Sequence, residues 1–403
     1  MQKSNRAKIL SLLVKYDLLS RGDLARLASV SPAVVSHIIR ECLMQGIVQE
    51  VSSGVSRGGR RPVLLAFNPD TSLVGGLIPG PQTQFCVGNL AGKTVMEKGI
   101  EPKKLSTPSR LALHIKELLN NSTVGESTGK GIHLRCMGIG IPGIYDQELD
   151  TIHKIGRISG LAGWEGKNVR TSFEDVFSCP ILVFDKVVAI AYAENIVRSS
   201  ENIKNLVYLH LGKGIGAGLV LEGRVYRGSQ GAAGEVGYMA CTSDREMNHA
   251  LHIHEIPFLE SRLSVNYVLD QFRSTFGIKE KSNSELQLEM IEYFNKKDPR
   301  VRNLLHPVFH QVGMMAVNIT AVLNPDIFIL GGELTEMFFQ EVKDTIENYL
   351  AKNVLFPPEV EKGTFGSREE MKGTLYFAID SYLRILTGGM QGLQKTFLER
   401  YCR

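Results

Sequence analysis

At 403 residues, with 43% hydrophobic and 22% charged side chains, the chain is an ordinary globular one with room for two or three domains. It holds no run of about 18 apolar residues, which excludes a membrane-spanning helix, and its charged N-terminus is not a secretory signal, so a cytoplasmic protein is expected. The net charge of +4 hides an asymmetry: residues 1–66 carry ten Lys/Arg against four Asp/Glu, a net of +6, which leaves −2 for the remainder.

The opening MQKSNRAKILSLLVKYD predicts an amphipathic helix. Residues 20–43, SRGDLARLASVSPAVVSHIIRECL, then read as a helix-turn-helix. Ser20 is placed to cap a short helix whose positive end meets Asp23, and Leu24, Leu27 and Ala28 share one face. Ser31 caps a second helix with Pro32 at its first position, and Val35, Ile39 and Cys42 recur at helical spacing as its buried side. Ser31, Ala33, Val34, Ser36, His37 and Arg40 remain as candidate contacts to double-stranded DNA: small residues let the backbone approach a major groove, and polar tips reach bases and phosphates. A plain helical hairpin is the alternative. Against it, GIVQ (residues 46–49) and Val63–Phe67 predict two strands around a Gly/Ser/Arg loop, which is a wing. Its tip carries Arg57, Arg60 and Arg61, placed for a minor groove or a phosphate run. The positive charge thus lies where the groove reader is predicted.

Beyond Asn68 strands alternate with helices. Leu73–Leu77 and Gln84–Asn89 predict a hairpin, with a turn at Ala91-Gly92. A helix over 109–120, a buried strand at CMGIGIPG (136–143), a helix over 167–177, a strand Ile181–Phe184 and a helix Val187–Val197 follow. Strands and glycine turns fill 205–240, and helices dominate after 262, broken by a strand Ile327–Leu330. This alternation predicts α/β architecture with mixed sheets and at least two lobes. No repeat stands out. The six cysteines, Cys42, Cys86, Cys136, Cys179, Cys241 and Cys402, lie singly, as reduced thiols in cores do.

The order SRGGRRPVLLAFN, GIGIPGIYD, LAGWEGKNV, AIAYAE, LGKGIGAGLVLEGRVYRGSQGAAGEVGY and LNPDIFILGGEL resembles the ROK family of bacterial sugar kinases and repressors of sugar utilisation. The resemblance covers nearly the whole chain. It implies an actin-like, hexokinase-type fold of two α/β lobes with a sugar cleft between them, here preceded by an all-α/winged helix-turn-helix domain, and assembly as dimers or tetramers.

Departures from the kinase pattern bear on activity. The acidic phosphate loop corresponds to GGLIPGPQTQ, with Leu77 at the acidic position and Pro79 and Pro81 beside it; an aliphatic group cannot coordinate Mg²⁺ and proline offers no amide. The second loop keeps Gly212, Gly214, Gly216 and Gly218 but has Lys213 where the kinases carry Thr. The family's catalytic Asp falls on Lys186, an ammonium that cannot accept the sugar's proton, with Asp185 one residue earlier at the Asn position. The zinc-ligand positions fall on Tyr238, Leu251, Ile253 and Phe258, so an apolar cluster replaces a metal. Cys241, His249, His252 and His254 have the right types but match no ligand template, and no metal or cofactor is expected. Gly160 replaces the Asn before the Gly-Trp of LAGWEG, removing one sugar contact, and Gly331-Gly332 reduce to a tight strand-to-helix turn.

The resemblance leaves an effector side. Glu235 and Glu260 match sugar-contacting acids, and with Asp185, Lys186 and Tyr238 they form a candidate sugar site; Lys186 hints at an anionic sugar. A Glu235–Lys186 ion pair in an empty cleft is the alternative. The expected domains are 1–66 for DNA binding, 67–185 for a first lobe completed by a C-terminal helix over 380–403, and 186–379 for a second lobe. The expected function is a sugar-responsive transcriptional regulator, a repressor without kinase activity. A sugar kinase with an appended DNA-binding domain and a constitutive DNA-binding protein are its rivals.

Overall fold

The computed structural model describes residues 2–16, 18–53, 63–81, 83–101, 107–122, 131–155, 161–198, 203–240, 258–367 and 369–388. Arg57, Arg60 and Arg61, Gly160, Cys241, His249, Leu251, His252, Ile253, His254 and Cys402 lie outside them.

The N-terminal unit comprises α1 (Gln2–Lys15), β1 (Leu19–Ser20), α2 (Arg21–Ala28), α3 (Pro32–Met44), β2 (Val48–Ser53) and β3 (Val63–Phe67). Ser20 and Asp23 form a reciprocal capping box: the hydroxyl accepts from the Asp23 amide at 3.1 Å and the carboxylate accepts from the Ser20 amide at 3.2 Å. Ser29, in the left-handed region at φ 55°, ends α2, whose Ala28 carbonyl also accepts from Lys8 Nζ at 2.6 Å. The chain turns by 119° into α3, capped by Ser31 with Pro32 at its first position. Among the described residues no single helix is long and apolar enough to cross a membrane. Strands β2 and β3 pair antiparallel as the wing's arms, and β1, too short for any periodicity to reveal, completes the sheet in the order β1-β3-β2.

The first lobe runs β4 (Leu73–Ile78), β5 (Thr83–Asn89), β6 (Thr94–Ile100), α4 (Pro108–Asn120), β7 (Leu134–Ile141), β8 (Gly143–Asp146), β9 (Thr151–Ile155), α5 (Val169–Glu174) and β10 (Ile181–Asp185). The Ala91-Gly92 turn joins β5 to a third strand rather than closing the hairpin, and α5 is shorter than the expected 167–177. The second lobe runs α6 (Lys186–Val197), β11 (Leu206–Leu211), β12 (Ile215–Leu221), β13 (Arg224–Tyr226), α7 (Glu260–Leu263), α8 (Val265–Phe276), α9 (Asn283–Asn295), α10 (Pro299–Leu323), β14 (Ile327–Gly331), α11 (Glu333–Asn353) and β15 (Glu359–Lys362), after which α12 (Glu370–Leu386) returns to the first lobe.

The two five-stranded sheets repeat one topology. Their orders are β6-β5-β4-β7-β10 and β13-β12-β11-β14-β15; in each the first three strands pair antiparallel and the last two join in parallel. Helices α6 and α12 lie between them. A Cβ on Gly76 of β4 would sit 2.6 Å from the Met371 carbonyl oxygen, so α12 presses directly on the first sheet, while Gly373 of α12 lets Ile190 of α6 approach. Buried α1 and α3 side chains, Ile9, Leu13 and Ile38 among them, share a core cluster with Ile379 and Leu383 of α12. The N-terminal unit is therefore packed into the same hydrophobic body as this helix.

Candidate DNA-reading face and interlobe cleft

On α3, Val35, Ile39 and Cys42 are buried as their spacing requires, joined by Ile38. Ala33, His37 and Arg40 are exposed and Ser36 is half-buried. Val34 departs from the expectation: it is half-buried and packs against the core, in the first turn of the helix beside the inward Val35. Ser31 is engaged in capping, its hydroxyl accepting from the Val34 amide at 3.4 Å. His37 Nε2 lies 3.3 Å from Glu41 Oε1, one turn along the same face.

Between the lobes lies a cavity of about 400 Å³. Asp185, Lys186, Glu235, Tyr238 and Glu260, five residues spread over 75 positions of sequence, all line it. Asp185 ends β10 and precedes α6, yet its carboxylate does not cap the helix; it accepts from the Tyr145 amide at 2.9 Å and faces Arg227 at 3.4 Å. Burial pushes its pKa up to about 6, against the lowering pull of that amide and of Arg227. Glu260 opens α7 and accepts from the Ile215 amide at 3.1 Å, closing the glycine loop after β11. Glu235 opens the turn Val236–Tyr238 after Gly234, whose φ of 93° and contact with the Ala217 carbonyl admit no side chain.

Lys186 is not paired with Glu235. Its ammonium donates to Glu370 Oε2 at 2.8 Å and lies 3.3 Å from His210 Nε2. Burial, then the neighbouring Lys186 charge, pushes the His210 pKa down to about 3, so the imidazole is neutral. The cavity is lined by six carboxylates, Asp185, Glu235, Glu260, Glu333, Glu336 and Glu370, against two lysines, Lys186 and Lys213. Lys186 thus spends its charge on Glu370, and the acids of the lining weigh against the anionic sugar at which it hints.

The first phosphate loop also differs in detail. Leu77 faces the lobe core, and the side chain that β4 turns into the cleft is Ile78, so the aliphatic group facing the cavity stands one residue further on. Thr83 Oγ1 closes the following turn, bonded to both the Gly80 amide and carbonyl at 3.0 and 2.9 Å. At the second loop a Cβ on Gly212 would overlap the Glu333 carboxylate, so an acid lies against this loop. Gly331 and Gly332 form the expected tight turn, held against Tyr208 and Leu211. Of the four zinc-ligand positions, Tyr238 and Phe258 are described and meet edge-to-face at 5.6 Å; among the described residues no group of three His, Cys, Asp or Glu could hold an ion. Cys42, Cys86 and Cys136 are buried free thiols, and burial raises Cys86 and Cys136 to about 12.

Sequence reasoning missed His210, Glu370, Glu333 and Arg227. A lysine in a cleft signals that some carboxylate must oppose it. Which one it is depends on α12 returning to the cleft 184 residues later.

The ROK family profile matches residues 78–381. A xylose repressor of Caldicellulosiruptor bescii is 24% identical over 396 residues, covering 95% of this chain and 97% of that protein. Among solved structures, a ROK family transcriptional regulator described as a homolog of the Escherichia coli Mlc protein superposes with a TM-score of 0.73 at 18% identity, covering 99% of this chain and 98% of its own. A ROK hexokinase from Thermus thermophilus superposes with a TM-score of 0.60 at 21% identity, covering 78% of this chain and 99% of its own. The fold is thus that of the actin-like ROK proteins, and the match over three quarters of the sequence settles membership: the chain belongs to the ROK family.

Proposed function

We propose that the chain is a sugar-responsive transcriptional regulator, a repressor of carbohydrate utilisation without kinase activity, acting in the cytoplasm as a homodimer or homotetramer. The observation that carries this reading is the Lys186–Glu370 pair: the position of the family's proton-accepting carboxylate holds an ammonium already bonded to a buried acid. Regulators match the chain over 95% and 99% of its length, whereas the hexokinase covers 78% of it. In this reading α3 enters the major groove of operator DNA through Ala33, Ser36, His37 and Arg40, with Ser31 and Val34 at its start and the wing arginines Arg57, Arg60 and Arg61 on the backbone. The cleft takes a neutral sugar through Asp185, Lys186, Glu235, Tyr238 and Glu260.

Fluorescence anisotropy on DNA from upstream of the protein's own gene, at two salt concentrations and with pooled neutral sugars, tests it. Saturable binding that steepens at low salt and responds to one pool is the expected outcome, and Arg40→Ala should weaken it about tenfold. Binding indifferent to every pool would leave only a constitutive DNA-binding protein.

A sugar kinase is the second reading, favoured by Asp185, whose raised pKa and place in the cleft are those of a proton acceptor. ATP-dependent phosphorylation of a hexose that Asp185→Asn abolishes would establish it.

A further inference from the structure

Three cavity-lining residues hold a buried side-chain atom with no hydrogen-bond partner among the described residues, Gln84 Oε1, His210 Nδ1 and Glu370 Oε1, and the last two stand together. Their side chains are only 5% and 9% exposed, both line the cavity, and the two atoms stand 3.4 Å apart without the alignment of a mutual hydrogen bond. The other atoms of both groups are committed to Lys186: Glu370 Oε2 accepts from its ammonium, and His210 Nε2 faces the same ammonium. An ammonium can only donate, so Nε2 is the bare nitrogen and the imidazole proton sits on Nδ1. Beside the cleft, one free donor therefore stands next to one free acceptor, contributed by β11 of the second lobe and by α12 of the first.

Such an arrangement selects its ligand group. A hydroxyl donates once and accepts twice, and so satisfies both atoms together. A phosphate or carboxylate could accept from Nδ1 but would set its charge against Glu370. A methyl or ring face would leave both atoms buried and unmade. We propose that His210 and Glu370 form a hydroxyl-reading subsite at the junction of the lobes, occupied by one hydroxyl of a neutral polyol. This inference rests on the sugar reading of the cleft, and adds to it two residues that no sequence motif marked.

The test is isothermal titration of the full chain with D-xylose, D-glucose and N-acetyl-D-glucosamine, followed by the monodeoxy forms of each sugar that binds. The proteins are wild type, Glu235→Gln, His210→Leu and His210→Gln, each checked by thermal melting. Glu370 is left in place because its removal strands the Lys186 charge. One monodeoxy sugar should bind wild type about tenfold to a hundredfold more weakly than its parent. His210→Leu should bind the parent sugar more weakly by a similar factor and no longer distinguish the two, and His210→Gln, which keeps a donor, should recover part of the discrimination. If Glu235→Gln abolishes binding while His210→Leu binds and discriminates every sugar as wild type does, the subsite is overturned and the sugar reading stands. If none of the sugars binds wild type, the sugar reading falls and the subsite with it.

Discussion

Asp185 is only 13% exposed and receives one backbone amide and one distant guanidinium, too little to offset the loss of water around its charge. Its proton is therefore held more tightly in the folded chain, with a pKa of about 6 against an ordinary 3.8. The stabilising contribution is fully present below the ordinary value and is lost as pH rises through about 6, for a total of roughly 3 kcal/mol. Asp185→Asn carries no such titration. Urea unfolding of both proteins between pH 4 and pH 7 should show wild type losing ground to the variant as pH rises. A difference that stays constant over that range would show the carboxylate to be better solvated than its burial implies. Asp185 itself was legible in the sequence as a cleft residue; its partners Tyr145 and Arg227 were not, because each reaches it from another element.

The elements that sequence predicts well are those whose causes are local. The capping box of Ser20 and Asp23, Pro32 at the start of α3 and the apolar spacing of Val35, Ile39 and Cys42 each act within a few residues, so α2 and α3 could be placed directly. The repeated five-strand topology escaped because it lives in strand order, and two sequences as unlike as LVGGLI and LVYLHL fill the same central position. What fixes α12 across the first sheet is equally non-local: Gly138 of β7 lies so close beneath Thr374 that a Cβ there would overlap its carbonyl oxygen. Gly138→Ala should lift the helix and cost about 1–3 kcal/mol. Gly99→Ala, on β6 with open space around the added methyl, should stay within about 1 kcal/mol of wild type. Urea midpoints of the two variants settle the matter; equal shifts would mean that α12 is not held by this contact.

For a regulator the decisive connection is between cleft and groove reader, and α12 spans it. At one end Glu370 holds Lys186 in the cavity; just beyond the other, a Cβ on Gly388 would sit 2.9 Å from Ala7 of α1, and the last turns share a core with the N-terminal unit. Its 17 residues cover about 25 Å as one rigid rod. A ligand that drew the lobes together would pull on the Lys186–Glu370 pair, and a shift of the rod would reach α1. Coupling of this kind requires the sugar to favour one arrangement of the rod over the other, and it appears as a ratio of DNA affinities with and without sugar. Ala7→Leu enlarges the far contact and touches nothing in the cleft. Sugar affinity should be unchanged in this variant, as should the thermal shift on sugar binding, while the ratio of DNA affinities falls toward one. Anisotropy titrations on operator DNA measure that ratio directly. A wild-type ratio in Ala7→Leu would place the coupling elsewhere, in a rearrangement of subunits that carries the N-terminal units along unchanged.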